Sequence, residues 1–239
     1  AAAIELQSRA RIALGDQLNA FELISRTAVD FVLAHIPGVR EPLAGRHEWY
    51  VLLELGSPRE DANSSMEGFL AAEMDAGRVT DGVLASSSSQ RDELWRLRHS
   101  ISEAQKNAGA GIKHDISVPV SRIADFLDEA RTTVTRLVPG VHIVAFGHLG
   151  DGNLHFNLNQ PDAMSADEFL DRWEPVSREV HSIAAELGGS FSAEHGIGTL
   201  KTGELERLRG GVEIDLMRSV KAALDPHGIM NPGKVLSAS

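Results

Sequence analysis

The stretch Val141–Asn159, VHIVAFGHLGDGNLHFNLN, decides the fold. Its halves, Val141–His148 and Asn153–Asn159, are amphipathic and not uniformly apolar, as expected of strands with one packed face. Leu149-Gly150-Asp151-Gly152 joins them, and Asp-Gly is a hairpin signal. On the returning strand His155 shares a face with Asn153, Asn157 and Asn159, because side chains alternate with period two.

Outward from this hairpin, helix-like and strand-like segments alternate. Ala1–Leu14 has helical spacing and Gly15 ends it; Leu18–Ile24 reads as a strand and Ser25–Ala34 as a helix capped by Ser25. Trp49–Leu55 and Val79–Ala85 read as strands, with a helix over Pro58–Ala76 between them. The serine run Ser86–Ser89 precedes a helix to about Asn107. In the next strand Ile112, His114, Ile116 and Val118 face one way, and Lys113, Asp115 and Ser117 the other. Helices are expected over Ser121–Leu137, Met164–Leu187 and Val212–Leu224. The hairpin and the amphipathic strands favour an antiparallel sheet over a parallel one. The expected class is α+β, a ferredoxin-like antiparallel sheet with helices packed on one face and a loop-rich C-terminal tail. Neither a dinucleotide-binding Gly-x-Gly-x-x-Gly turn nor a P-loop is present.

The 239 residues are 42% hydrophobic, enough for a substantial core. A formal net charge of −11 disfavours nucleic acid as a partner. There is no cysteine, so any metal must be held by histidine and carboxylate. No apolar run approaches the ~18 residues of a membrane span. A cytoplasmic setting is therefore expected. The chain starts at Ala1 in a helix-like pattern, which reads as a piece of a longer protein.

Two runs, Gly147–Asn157 (GHLGDGNLHFN) and Ser192–Gly198 (SAEHGIG), hold the chemistry. The hairpin can bring the imidazoles of His148 and His155 together, and Glu194 and His195 come from a separate glycine-flanked segment. Two histidines on a hairpin are more often surface or core decoration than ligands. The glycine spacing and the Glu-His pair shift that balance. Two imidazoles and one carboxylate would leave a coordination position open, as catalytic sites do. Zinc is the first choice for such ligands, and manganese or iron could occupy the same set.

A second constellation could hold an anion. Arg98 and Ser102 are four apart on the expected helix, and Lys113 heads the next strand. Arginine can grip a carboxylate through two parallel hydrogen bonds, while lysine supplies a point charge. From spacing alone these residues read first as the polar face of a solvated helix.

The two histidine runs, with the closing ALDPHGIMNPGKV at Ala223–Val235, resemble the C-terminal domain of the FAD-linked oxidases. That group includes D-lactate dehydrogenase, the glycolate oxidase D-subunit and D-2-hydroxyglutarate dehydrogenase. LNAFELIS and LWRLRHSISEAQKNAGAGIKHDISVPV look like it too, so the resemblance covers nearly the whole chain. It implies that residues 1–239 form a substrate domain that packs on an upstream FAD-binding domain, with residues 190–239 facing the flavin. By similarity His148, His155 and Glu194 would bind a divalent metal. Arg98, Ser102 and Lys113 would hold substrate carboxylates. Asn157 and His195 would contact substrate, with His195 as the catalytic base, and Asn231 would approach the flavin. Ser102 stands where the hydroxyglutarate enzymes tend to have threonine, and His114 where they tend to have tyrosine.

The implied reaction is oxidation of a small 2-hydroxy acid to a 2-oxo acid, with FAD as hydride acceptor. The fragment alone is expected to be inactive. Two cations lean the substrate towards a dicarboxylate. The electron acceptor and the oligomeric state, self-association included, are left open. Two rivals stand beside this reading. One is a stand-alone metal- or ligand-binding module without redox activity. The other is a metal-assisted hydrolase, which lacks an obvious water-activating carboxylate beside the ligands.

Overall fold

The computed structural model describes residues 1–56 and 62–237. The strands are β1 (Leu18–Ser25), β2 (Trp49–Leu55), β3 (Gly111–Ile112), β4 (Asp115–Ser117), β5 (His142–His148) and β6 (Asn153–Asn159). They form one antiparallel sheet in the order β2-β1-β5-β6-β3, with β4 also paired to β6. The β5–β6 hairpin lies where the sequence places it, with Phe146 opposite His155 and Ala145 opposite Phe156.

Ten helices are named along the described chain: α1 (Ala2–Leu14), α2 (Arg26–His35), α3 (Ala62–Asp75), α4 (Ser88–His99), α5 (Ile101–Asn107), α6 (Ile123–Leu137), α7 (Ala166–Leu170), α8 (Trp173–Glu186), α9 (Thr202–Arg209) and α10 (Val212–Leu224). Gly15 ends α1 with φ +55°, a conformation glycine adopts without a Cβ clash. Ser25 caps α2: its side chain accepts the Ala28 N–H. The same hydroxyl accepts the Ala145 N–H at 3.1 Å, tying the cap to β5.

The α+β sheet has the antiparallel pairing expected, but helices lie on both faces. The main core joins Phe21, Leu23, Ile116, Leu154 and Phe156 of one sheet face to α1, α3, α6 and α8. Phe126 of α6 meets Phe156 edge-on at 5.5 Å, and both are fully buried. The second face is mixed. Near β2 it carries Ile24, Tyr50, Val144 and Phe146, and these pack against α2, α4 and α5. An apolar patch on that face needs a helical cover just as the main face does. Beyond the patch the face turns polar, with Glu22, Asp115, Asn153 and Asn157 buried on it.

Other expectations change as well. Val79–Ala85 forms no strand. Asp81 there accepts the Gly45 N–H and pairs with His47, side-chain contacts in place of a ladder. The expected helix Met164–Leu187 is two helices. Pro175 in its middle would clash with the preceding turn, whereas in the first turn of a restarted helix its missing N–H is harmless. The C-terminal tail is less irregular than expected, because α9 buries Leu205 against Phe191 and Ile214. Of the helix expected over Pro58–Ala76, Pro58 to Asp61 lie outside the described residues. No helix among the described residues is long and apolar enough to cross a membrane.

Candidate active site

The polar half of the second sheet face gathers side chains from four strands. Glu22 of β1 stands opposite His148 of β5, and Asp115 of β4 opposite His155 of β6. Asn153 and Asn157 flank His155 on the same face of β6. The turn that allows this is tightly built. At Gly147 a Cβ would lie 2.5 Å from the Asn153 carbonyl oxygen. At Gly152, with φ +81°, it would lie 2.0 Å from that of Val118.

The segment after α8 is pinned over this face. Ser190 and Ser117 exchange two backbone hydrogen bonds of 2.8 and 2.9 Å. The backbone N–H groups of Glu194 and His195 both donate to Asp115 Oδ2 at 2.8 Å. Lys201 Nζ donates to the Phe191 carbonyl and to Ser192 Oγ, and Ser192 Oγ donates to the Gly196 carbonyl. The Glu-His pair is thus set by the backbone of its own turn.

His148, His155 and Glu194 converge. Glu194 Oε1 lies 3.4 Å from His148 Nε2, and Oε2 lies 3.7 Å from His155 Nε2. Asn153 Nδ2 donates to Glu194 Oε1 at 2.5 Å. His148 Nδ1 is bonded to Glu22, so Nδ1 acts as donor, and Nε2 points towards Glu194. Burial lowers the His155 pKa although Glu194 and Asp115 oppose the shift, so the ring is neutral and able to ligate. Asp115, His155 and His195 also converge, with ligand atoms within 4.8 Å of one another. Two buried oxygens beside these groups, Asp115 Oδ1 and Asn153 Oδ1, have no hydrogen-bond partner among the described residues. Unpaired buried oxygens next to clustered imidazoles fit a site for a cation and its water.

Arg98 lies beside this cluster on α4. Its Nε donates to Glu22 Oε2 at 2.7 Å, and its guanidinium lies 4.8 Å above the Phe146 ring. No hydrogen bond among the described residues uses its two terminal nitrogens. Asn157 is buried, and its Oδ1 accepts the His114 N–H at 3.1 Å. Ser102 and Lys113 are exposed. They belong to α5 and to the link between β3 and β4, so Arg98 and Ser102 do not share one continuous helix. Lys113 forms no ion pair with the described residues. Asn231, at φ +47°, sits in a separate groove between α10 and the Gly196–Gly198 turn and accepts from Lys234 Nζ.

The sequence reading missed Glu22 and the roles of Asp115 and Asn153. The signal for Glu22 was present: an acid inside the apolar run FELI, where the strand passes through the core.

The model of the FAD-linked oxidase C-terminal domain matches residues 1–235. The chain belongs to the FAD-linked oxidase family. This family member is 39% identical over 227 residues to the mitochondrial D-2-hydroxyglutarate dehydrogenase of Arabidopsis thaliana, covering 95% of the chain and 39% of the relative. It is 40% identical over 221 residues to D-2-hydroxyglutarate dehydrogenase of Stutzerimonas stutzeri (strain A1501), covering 92% and 47%. The chain therefore spans less than half the length of these relatives. The crystal structure of p-cresol methylhydroxylase shares the fold with a TM-score of 0.70 at 14% identity, covering 98% of this chain and 50% of that one. The FAD-linked oxidase fold also recurs in 4-ethylphenol oxidase from Gulosibacter chungangensis, with a TM-score of 0.63 at 18% identity, covering 99% and 51%.

Proposed function

We propose that this chain is the substrate domain of a flavin-dependent dehydrogenase that oxidises a D-2-hydroxy acid to a 2-oxo acid. The carrying observation is the juxtaposition over one sheet face of a candidate ligand set, His148, His155 and Glu194, with a guanidinium whose terminal nitrogens make no hydrogen bond among the described residues. The identity to D-2-hydroxyglutarate dehydrogenases supports a dicarboxylate as substrate.

In this reading the terminal nitrogens of Arg98 take a substrate carboxylate, with Ser102 and Lys113 completing the anion subsite. Asn157 and His195 bracket the hydroxyl-bearing carbon. Bound FAD would supply a hydride acceptor, and a divalent metal held by His148, His155 and Glu194 would supply Lewis acidity at the site. His195 takes the hydroxyl proton, and Asp115 steadies the imidazolium that forms. The ring of His155 lies roughly parallel to that of His195, with centroids 5.8 Å apart.

The whole chain acts as one domain that docks on an FAD-binding partner domain, with residues 190–239 towards the flavin and Asn231 closest. Support comes from α10. Val212, Leu216, Val220 and Leu224 recur every four residues on one side, and all are exposed, Val212 by 76%. An apolar stripe of this kind marks a contact surface.

The test uses the full-length, FAD-containing protein with an artificial electron acceptor. D-2-hydroxyglutarate should be oxidised with kcat/KM well above that of D-lactate, and Lys113→Ala should narrow the gap. Preference for D-lactate in both proteins would exclude the dicarboxylate reading. No oxidation of any D-2-hydroxy acid would exclude the function.

A further inference from the structure

We propose that Glu22 is a positioning residue that sets the metal-binding imidazole and the anion-binding guanidinium with one carboxylate. The inference rests on the reading of His148 as a ligand and Arg98 as the anchor. Glu22 is 2% exposed, an unusual place for an acid. Its strand neighbours Phe21 and Leu23 point into the main core on the other face. Both of its oxygens are used: Oε1 bonds His148 Nδ1 and Oε2 accepts Arg98 Nε at 2.7 Å. Buried carboxylate oxygens need hydrogen-bond partners, and both have one here.

Each bond has a consequence at the site. On the imidazole, Nδ1 donates to Glu22 and Nε2 faces Glu194, the orientation in which Nε2 would ligate a metal with its second nitrogen anchored. On the guanidinium, occupation of Nε alone, together with the Phe146 ring beneath, fixes the plane and leaves the terminal pair for a bidentate contact. Glu22 sits on a central strand between β2 and β5, so neither group can move without straining the other. Glutamine has the same shape but one acceptor oxygen, which Arg98 Nε claims; its NH2 then faces His148 Nδ1, so either that contact breaks or the imidazole proton moves to Nε2 and blocks ligation there.

The test measures zinc affinity by chelator competition in full-length, FAD-containing protein. In Glu22→Gln it should weaken by roughly 10- to 100-fold, the usual effect of losing a carboxylate behind a ligating histidine. The KM for D-2-hydroxyglutarate should rise in the same variant. Circular dichroism would verify that the variant is folded. If Glu22→Gln does not fold, Glu22→Asp keeps the charge, withdraws it by one methylene and should weaken zinc in the same direction. Zinc affinity within about threefold of wild type in the folded variant would overturn the role of Glu22, given the size of such effects elsewhere. A wild-type protein that binds no zinc would overturn the metal reading itself, and this role with it.

Discussion

Asp115 holds His195 by the backbone: Oδ2 accepts the His195 N–H at 2.8 Å and lies 3.7 Å from the ring Nδ1. Burial alone would raise the pKa of this carboxyl. The backbone donors of His195 and Glu194, together with the nearby His195 and His155 rings, outweigh that and hold it below the usual range. An ionised, immobile carboxylate therefore stands beside the imidazole that would receive the substrate proton.

His195→Ala in the full-length protein should slow flavin reduction by about 10²- to 10⁴-fold at saturating substrate, the usual contribution of a general base. Substrate affinity should change far less, because Arg98 is untouched. Anaerobic mixing that follows flavin bleaching reads both quantities. A reduction rate equal to wild type would remove His195 from the proton transfer.

Arg98 and Glu22 form a buried ion pair, with side chains 10% and 2% exposed. Arg98→Met should destabilise the fold by about 3–5 kcal/mol, because it leaves Glu22 buried with only His148 as partner. Adding Glu22→Gln should recover part of the loss, since the stranded charge is then gone. Denaturant unfolding of the two variants tests this. Equal loss in the single and double variants would show that the arginine acts only by packing.

The fold was legible where pattern and burial agree. The hairpin Val141–Asn159 announced its own turn, and α6 buries Ile123, Phe126, Ala130 and Val134 at helical spacing. The ligand candidates could be read because His148 and His155 flank that hairpin. The second helical layer could not be read, because it depends on Ile24, Val144 and Phe146 sharing a face across two strands. Glu22 was hidden for the same reason: its partners, Arg98 and His148, are 76 and 126 residues away in sequence. Val79–Ala85 misled because strand-like composition forms a strand only where a ladder partner is available.

Gly189 permits the approach of the Glu194–His195 segment to β4. A Cβ there would lie 1.9 Å from the Ser117 carbonyl oxygen and 2.9 Å from that of Ala184. Both are backbone atoms, so no side chain can swing away. Gly189→Ala should therefore break the paired bonds between Ser190 and Ser117 and destabilise the fold by about 1–3 kcal/mol, the range of overpacking. If Glu194 ligates a metal as proposed, it should also weaken zinc binding, because Glu194 loses its placement. A variant with wild-type stability and zinc affinity would show that this approach is unimportant.

His114 gives the fold an acid dependence distinct from that of the site. It is fully buried, Nδ1 donates to the Phe156 carbonyl at 2.8 Å, and Nε2 accepts from Ser177 Oγ at 3.1 Å. Burial, aided by nearby His181, pushes its pKa down from 6.5 to about 3. The unfolded chain therefore binds a proton below pH ~6.5 while the native ring stays neutral, so stability is full above that pH and falls as pH decreases towards about 3. One such group gives a slope of up to ~1.4 kcal/mol per pH unit. His181, also lowered by burial, adds to it. Between pH ~6 and ~5 few carboxylates titrate, so the histidine contribution can be isolated there. Unfolding free energies in that window should decline with acid in wild type and decline less steeply in His114→Gln. Parallel slopes in the two proteins would show that His114 is not the group responsible.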